Sequence, residues 1–270
     1  MQVPRISASS YSNTAPLVWS FLYGQNHGKV EIILDTAPAR SAELLAHDRV
    51  DAALVPLIAY QETDDVRLVP GVCVGAKERV RSVCLVTKGE DLENVRSVAL
   101  DVSSKTSVAL TKIIFREFLG FEPKFKSVEP NINAMLANAD CALLIGDPAL
   151  ALSVPPAVSG GLTYRTFDLA ETWRKYTGLG FVFAMWMTKK DQVNIDFAAA
   201  RDEGLAHIAE IVSNYEGELR LERADLVKYL TGNISYSIDD SMRDGMELYF
   251  RLAERHGLIA RAKEAVFCNL

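Results

Sequence analysis

The sequence predicts an α/β protein of two lobes joined by two hinge crossovers. Three observations carry that prediction. Short apolar runs alternate with helical patterns, and a polar turn links each pair. Two strong strand-like stretches, residues 80–87 (VRSVCLVT) and 181–188 (FVFAMWMT), bracket the middle of the chain. After Asp196 the pattern is helical throughout. Reading the two stretches as crossovers gives one lobe from residues 1–88 and 184–270, and an inserted lobe from residues 89–183.

The first lobe opens with a short strand at residues 5–8. It runs into the polar turn Ser9-Ser10-Tyr11-Ser12-Asn13-Thr14, and Pro16 falls in the first turn of the next helix, where its missing N–H costs nothing. Leu17, Val18, Phe21 and Leu22 give that helix its apolar side and Gly24 ends it. Residues 30–34 form a second strand. Asp35-Thr36-Ala37-Pro38 then repeats the pattern of capping residue and proline, and Ala42, Leu44 and Leu45 continue the helix. A third strand at 51–55 leads to Pro56 and a short helix near Ile58. Residues 66–76 read as two extended segments separated by Pro70-Gly71.

The second series starts with a strand at 98–100. A hydroxyl-rich turn follows, Asp101 to Ser107, and then a helix carrying Leu110, Ile113, Ile114 and Phe118. A strand at 125–128, a helix at 132–137 and a strand at 141–145 come next. Asp147 is placed to cap the short helix that Pro148 begins. Pro155-Pro156 and Gly160-Gly161 mark a surface loop, and residues 168–177 a helix with Trp173 and Tyr176. The last helices are expected at 197–215, 223–229 and 239–256.

Composition narrows the function. The 270 residues are 49% hydrophobic and 24% charged, ordinary for a globular chain, and the net charge of −6 with no basic block argues against nucleic acid. None of Cys73, Cys84, Cys141 and Cys268 forms a C-x-x-C pair, and His27, His47, His207 and His256 have no metal-ligand spacing, so no metal is expected. No glycine-rich nucleotide motif occurs, so no cofactor is expected. No run reaches the length of a membrane span and the N-terminus lacks an apolar signal core, which leads to the expectation of a cytoplasmic protein with no membrane partner, monomeric or homodimeric.

Ligands of such sheets sit beyond the carboxyl ends of the strands. That rule puts Tyr11 to Thr14, Thr36 to Pro38, Pro56 and Ser103 to Ser107 on functional edges. Each has a bland reading beside the functional one. Asn13 is either a helix cap or a donor aimed into the cleft. Ser82, alternating with Val83 and Leu85, is either a surface serine or a hydroxyl at the cleft floor, with Arg81 facing the other way. Ser103, Ser104 and Thr106 either cap their own helix or present its N-terminus to an anion. Asp147 reads first as a cap and second as a ligand contact. Trp173 and Tyr176 read as lobe packing. Arg40, Arg79, Arg81 and Lys105 are nearby cations.

Several segments, in order, carry a resemblance: SASSYSNTAPLVW, DTAPARSAELLAHDRVDAALVPLIAY, VRSVCLVT, ALDVSSKTSVALTKII, LLIGDPAL and TWRKYTGLGFVFAMW. Together they resemble the chorismate dehydratase of the futalosine route to menaquinone, from the first strand to about Trp186 and more weakly beyond. The resemblance implies a type II periplasmic-binding-protein-like fold used by a cytoplasmic enzyme. It implies loss of water from chorismate to give 3-[(1-carboxyvinyl)oxy]benzoate, without a cofactor. Asn13 in SYSNT and Ser82 in VRSV match the family's polar active-site positions and are assigned to the carboxylate and the departing hydroxyl. Ser10, Tyr11, Thr36, Pro38, Pro56, Ser103, Ser104, Thr106, Ser107, Gly146 and Asp147 are expected to bind substrate. No strong protein base is evident, and the substrate's own enolpyruvyl carboxylate is read as the proton acceptor. The sister 1,4-dihydroxy-6-naphthoate synthase shares the fold but carries a histidine in the segment matching LLIGDPAL, where this chain has Gly146 and Asp147. A non-catalytic small-carboxylate binding protein is the reading from another class.

Overall fold

A computed structural model describes residues 3–35, 38–152, 158–159, 162–219 and 221–269. In chain order the elements are β1 (Arg5–Ser9), α1 (Ala15–Leu22), β2 (Glu31–Asp35), α2 (Pro38–Ala46), β3 (Ala52–Pro56), α3 (Ala59–Glu62) and β4 (Arg67–Ala76). Then come β5 (Val83–Thr87), β6 (Ser97–Asp101), α4 (Lys105–Ile113), β7 (Lys124–Val128), α5 (Ile132–Asn138), β8 (Cys141–Ile145) and α6 (Gly146–Leu152). The chain continues through β9 (Val158–Ser159), β10 (Leu162–Thr163), β11 (Arg165–Asp168), α7 (Leu169–Thr177) and β12 (Phe181–Thr188). It closes with α8 (Phe197–Ala206), α9 (Ile208–Leu219), α10 (Arg223–Lys228) and α11 (Asp240–Arg255). Wide π-type turns extend α4 at Ile114–Phe118 and α10 at Tyr229–Asn233. The loop expected around Pro155-Pro156 and Gly160-Gly161 lies outside the described residues.

Two five-stranded sheets organise these elements. The first has the order β2-β1-β3-β12-β4 and the second β11-β5-β8-β6-β7. β1 runs parallel to β2 and β3, and β6 parallel to β7 and β8, as alternating strands and helices require. The sheets are nevertheless mixed. β12 runs antiparallel between β3 and β4, and β5 antiparallel between β8 and β11, because each enters its sheet from the other lobe. β5 pairs wholly within the second sheet, and β12 lies wholly within the first from Phe181 onward. On that pairing we propose crossovers at residues 77–82 and 178–180, in place of the limits at 88 and 184 read from the sequence.

Three further elements depart from the sequence reading. Residues 67–76 are one strand: β4 lies at the sheet edge, so Pro70 removes no ladder bond, and register shifts against β12 absorb the irregularity. The helix expected over 197–215 breaks at His207, whose ring stacks on Trp19 at 3.8 Å while Nδ1 meets the Glu203 carbonyl at 2.8 Å. Residues 80–82 form a bend instead of the start of a strand, for the reason given below.

The first core is aromatic. Trp186 of β12 meets Phe197 at 4.6 Å, and Phe21 of α1 meets both at 6.0–6.3 Å. Gly204 of α8 lets α1 approach, since a Cβ there would sit 1.9 Å from the Pro16 carbonyl oxygen. Tyr249 of α11 packs edge-on against Phe181 at 5.1 Å. All four cysteines are free and buried. No helix among the described residues is long and apolar enough to cross a membrane.

Candidate active site

The carboxyl ends of β1 and β3 face the start of α4 across a cleft of about 520 Å³, its open mouth included. Ser9, Tyr11, Asn13, Thr14, Pro38 and Pro56 line it from the first lobe, with Leu54, Val74, Phe183 and Ala184 as its apolar floor. Ser104, Thr106, Ser107, Val83, Ile145 and Gly146 line it from the second. The turns that the sequence marks with hydroxyl residues and prolines thus converge on one space, as strand ends do in open α/β sheets.

Direct bonds clasp the lobes around this cleft. Ser12 donates its N–H at 3.2 Å and its O–H to the Asp147 carboxylate. The Thr106 hydroxyl accepts the Ile58 N–H at 3.1 Å, and the Tyr249 hydroxyl donates to the Thr106 carbonyl at 3.0 Å. Lys105 Nζ meets Glu62 at 2.7 Å. Asp147 therefore serves as an inter-lobe acceptor, and burial pushes its carboxyl above the usual range despite the two Ser12 donors. Gly146 is held at φ +65° by its N–H bond to the Ser82 carbonyl (2.7 Å), and a Cβ there would lie 2.9 Å from the Tyr11 ring.

Ser82 reaches the site through an unusual bend. The buried Asp168 carboxylate accepts the N–H groups of Val80 at 3.1 Å and Arg81 at 2.6 Å while also capping α7. Arg81 takes φ +64°, and the Ser82 N–H returns to the Val80 carbonyl at 2.8 Å, closing a positive-φ γ-turn. Such a turn costs about 1–3 kcal/mol and persists only where its surroundings enforce it. Asp168 is that surrounding, and its own carboxyl is raised by burial. Arg81 and Ser82 are both buried, where a strand would have placed them on opposite faces. The Arg81 guanidinium makes a forked pair with Asp225 at 2.7 and 3.0 Å.

Ser82, beneath the lining, and Asn13, within it, lie beside the Tyr229 phenol. The atoms Asn13 Oδ1, Ser82 Oγ and Tyr229 OH are all buried without a hydrogen-bond partner. Burial pushes the Tyr229 phenol up, and the neighbouring Ser82 and Asn13 side chains act against that rise. Nothing in the sequence marks Tyr229 as a site residue. It lies in a helical run whose pattern marks it as core, and only the wide π-type turn after α10 hints otherwise.

The remaining expected residues fall into distinct places. Tyr11, Asn13, Pro38, Pro56, Ser104, Thr106, Ser107 and Gly146 line the cleft. Ser104 also caps α4, accepting the Ser107 N–H at 3.3 Å. Ser103 is turned to Asp101 through its N–H at 2.9 Å and its hydroxyl. Ser10 presents its carbonyl to Tyr215 at 3.2 Å, Ser82 lies beneath the lining, and Thr36 falls outside the described residues. The cations near the turns all face carboxylates: Arg40 with Asp35, Arg79 with Asp168, Arg81 with Asp225 and Lys105 with Glu62. No charged side chain is among the described residues lining the cleft. Hydroxyls, an amide and the N-terminus of α4 are its polar inventory, a set suited to binding carboxylates and to stabilising developing charge. No group of His, Cys, Asp and Glu able to hold a metal occurs among the described residues.

Comparisons with known proteins fit this geometry. A family described by menaquinone biosynthesis matches residues 4–255. The chorismate dehydratase of Thermus thermophilus is 31% identical over 264 residues, covering 92% of this chain and 93% of that protein. Solved structures share the fold at low identity. The alkanesulfonate-binding protein SsuA of Xanthomonas axonopodis pv. citri superposes with TM-score 0.66 at 13% identity, covering 95% and 93% of the two chains. The Candida albicans CA3427 product, which has the generic periplasmic binding protein fold, gives 0.61 at 11%, covering 100% and 98%. The two-lobed chain thus has the periplasmic-binding-protein-like fold.

Proposed function

The chain belongs to the menaquinone-biosynthesis family, and we propose that it dehydrates chorismate to 3-[(1-carboxyvinyl)oxy]benzoate as a carbon–oxygen lyase in the cytoplasm. One C–H bond and one C–O bond of the ring break, water leaves and the ring becomes aromatic. The gain in aromaticity makes the reaction downhill, so positioning and hydrogen bonding can supply most of the catalysis. The observation that carries the reading is that no charged side chain is among the described residues lining the cleft, backed by the unpartnered Ser82 hydroxyl beneath it. Such a site has donors in place for an anion but no protein base over the ring. In this reading the enolpyruvyl carboxylate of the substrate takes the ring proton. Asn13 and Ser82 hold that carboxylate and the departing hydroxyl, while Ser104, Thr106 and Ser107 at the start of α4 anchor the ring carboxylate. Tyr11, Pro38, Pro56 and Gly146 shape the cleft around the substrate.

The position after β8, where the sister synthase resemblance calls for a histidine base, holds Gly146 and Asp147. A binding protein of the same fold is separated by turnover. With chorismate, the lyase gives an aromatic product in excess of the protein. A binding module gives only a rise in melting temperature.

A further inference from the structure

Three polar side chains from distant parts of the chain come together where the Ser82 and Asn13 side chains lie beside the Tyr229 phenol, and each keeps a buried atom without a hydrogen bond: Asn13 Oδ1, Ser82 Oγ and Tyr229 OH. Asn13 Oδ1 can only accept. The two hydroxyls can each donate once and accept. Buried polar atoms normally find partners, so three left unbonded beside one another are unusual. Tyr229 is fixed on its other side: it is fully buried, and the Arg81 guanidinium, already forked onto Asp225, lies 5.9 Å from its ring centroid. Its hydroxyl is shut off from solvent, with the Ser82 and Asn13 side chains beside it.

We propose that Tyr229 is a positioning residue for the dehydration: in the substrate complex its O–H donates to Asn13 Oδ1, which leaves the Asn13 amide N–H and the Ser82 O–H as donors for the substrate. The proposal rests on the chorismate reading, since that reading makes Asn13 and Ser82 the substrate's donors. Tyr229 itself touches no substrate. Without its hydroxyl, the amide and the serine can bond to each other instead, and donors needed in the transition state are lost more than those needed for binding.

The test is Tyr229→Phe, which removes one oxygen, with kcat and KM measured on chorismate alongside the melting temperature. The expected result is a kcat lower by about tenfold or more, a KM within about threefold, and melting within a few degrees of the parent. In the Ser82→Ala/Tyr229→Phe double variant the losses should not multiply, because the two groups act as a unit. A parental kcat in Tyr229→Phe, multiplying losses in the double variant, or a Phe variant that does not fold would each overturn the proposal. The last outcome would mean that the hydroxyl serves packing. If the unaltered protein forms no product from chorismate, the functional reading fails instead, and the two failures are distinct.

Discussion

The Asp168 carboxylate accepts the Arg81 backbone N–H at 2.6 Å, and this bond from the cap of α7 to the first crossover sets the bend that carries Ser82. The same carboxylate takes N–H groups from Val80, Ala170 and Glu171. Asp168→Asn keeps one acceptor oxygen for these four donors. It is expected to cost about 1–3 kcal/mol of stability and to lower kcat on chorismate at least tenfold as Ser82 moves. Denaturant unfolding and steady-state kinetics check both effects.

Gly146→Ala should fail on two counts. The residue sits at φ +65°, and the new Cβ would meet the Tyr11 ring at 2.9 Å. The backbone costs about 1–2 kcal/mol and the overpacking about 1–3 kcal/mol. A lower melting temperature together with a raised KM is the expected result, read by calorimetry and initial rates.

Thr106→Val removes the acceptor of the Ile58 N–H across the cleft. A buried donor left unpaired costs about 1–3 kcal/mol. Hydrogen exchange at Ile58 should speed up, while amides in the β8 core keep their protection.

Asp147 gives a pH dependence with a defined sign. Burial raises its carboxyl above 3.8, the Ser12 donors oppose that, and Glu218 adds to the rise. Tyr11 and Tyr215 also face it, and both phenols are raised, first by burial. Between 3.8 and the raised value the folded chain binds more protons than the unfolded one, so this group's contribution to stability falls as pH rises through that window and is level above it. Asp147→Asn cannot titrate. Its melting temperature, relative to the parent, should therefore climb with pH from about 4 and then become constant. A variant melting temperature that falls relative to the parent as pH rises through that window contradicts the assignment.

Much of this site is legible in the sequence because turns carry local chemistry. A strand followed by serine, asparagine, threonine and proline can do little except open a helix at a sheet edge, which placed Asn13 and Pro38 on the cleft. What is illegible depends on tertiary contact. The alternation of residues 80–87 reads as a continuous strand, and nothing local signals that Asp168 bends it at Arg81. Tyr229 has a helical core pattern, and its neighbour Asn13 lies at the other end of the chain. Ser103 and Thr106 look alike in sequence, yet one bonds Asp101 within its own turn and the other receives Ile58 from the facing lobe.

In the proposed dehydration, neutral donors act on a bound anion. The most direct measurement is the initial rate of aromatic product formation from chorismate, with the product identified by mass, for the unaltered protein and for Asn13→Ala. Many turnovers to a product lighter by one water are expected, with a rate lower by about a hundredfold or more in the variant. Chorismate recovered unchanged from the unaltered protein, or equal rates in the two proteins, would contradict the proposal.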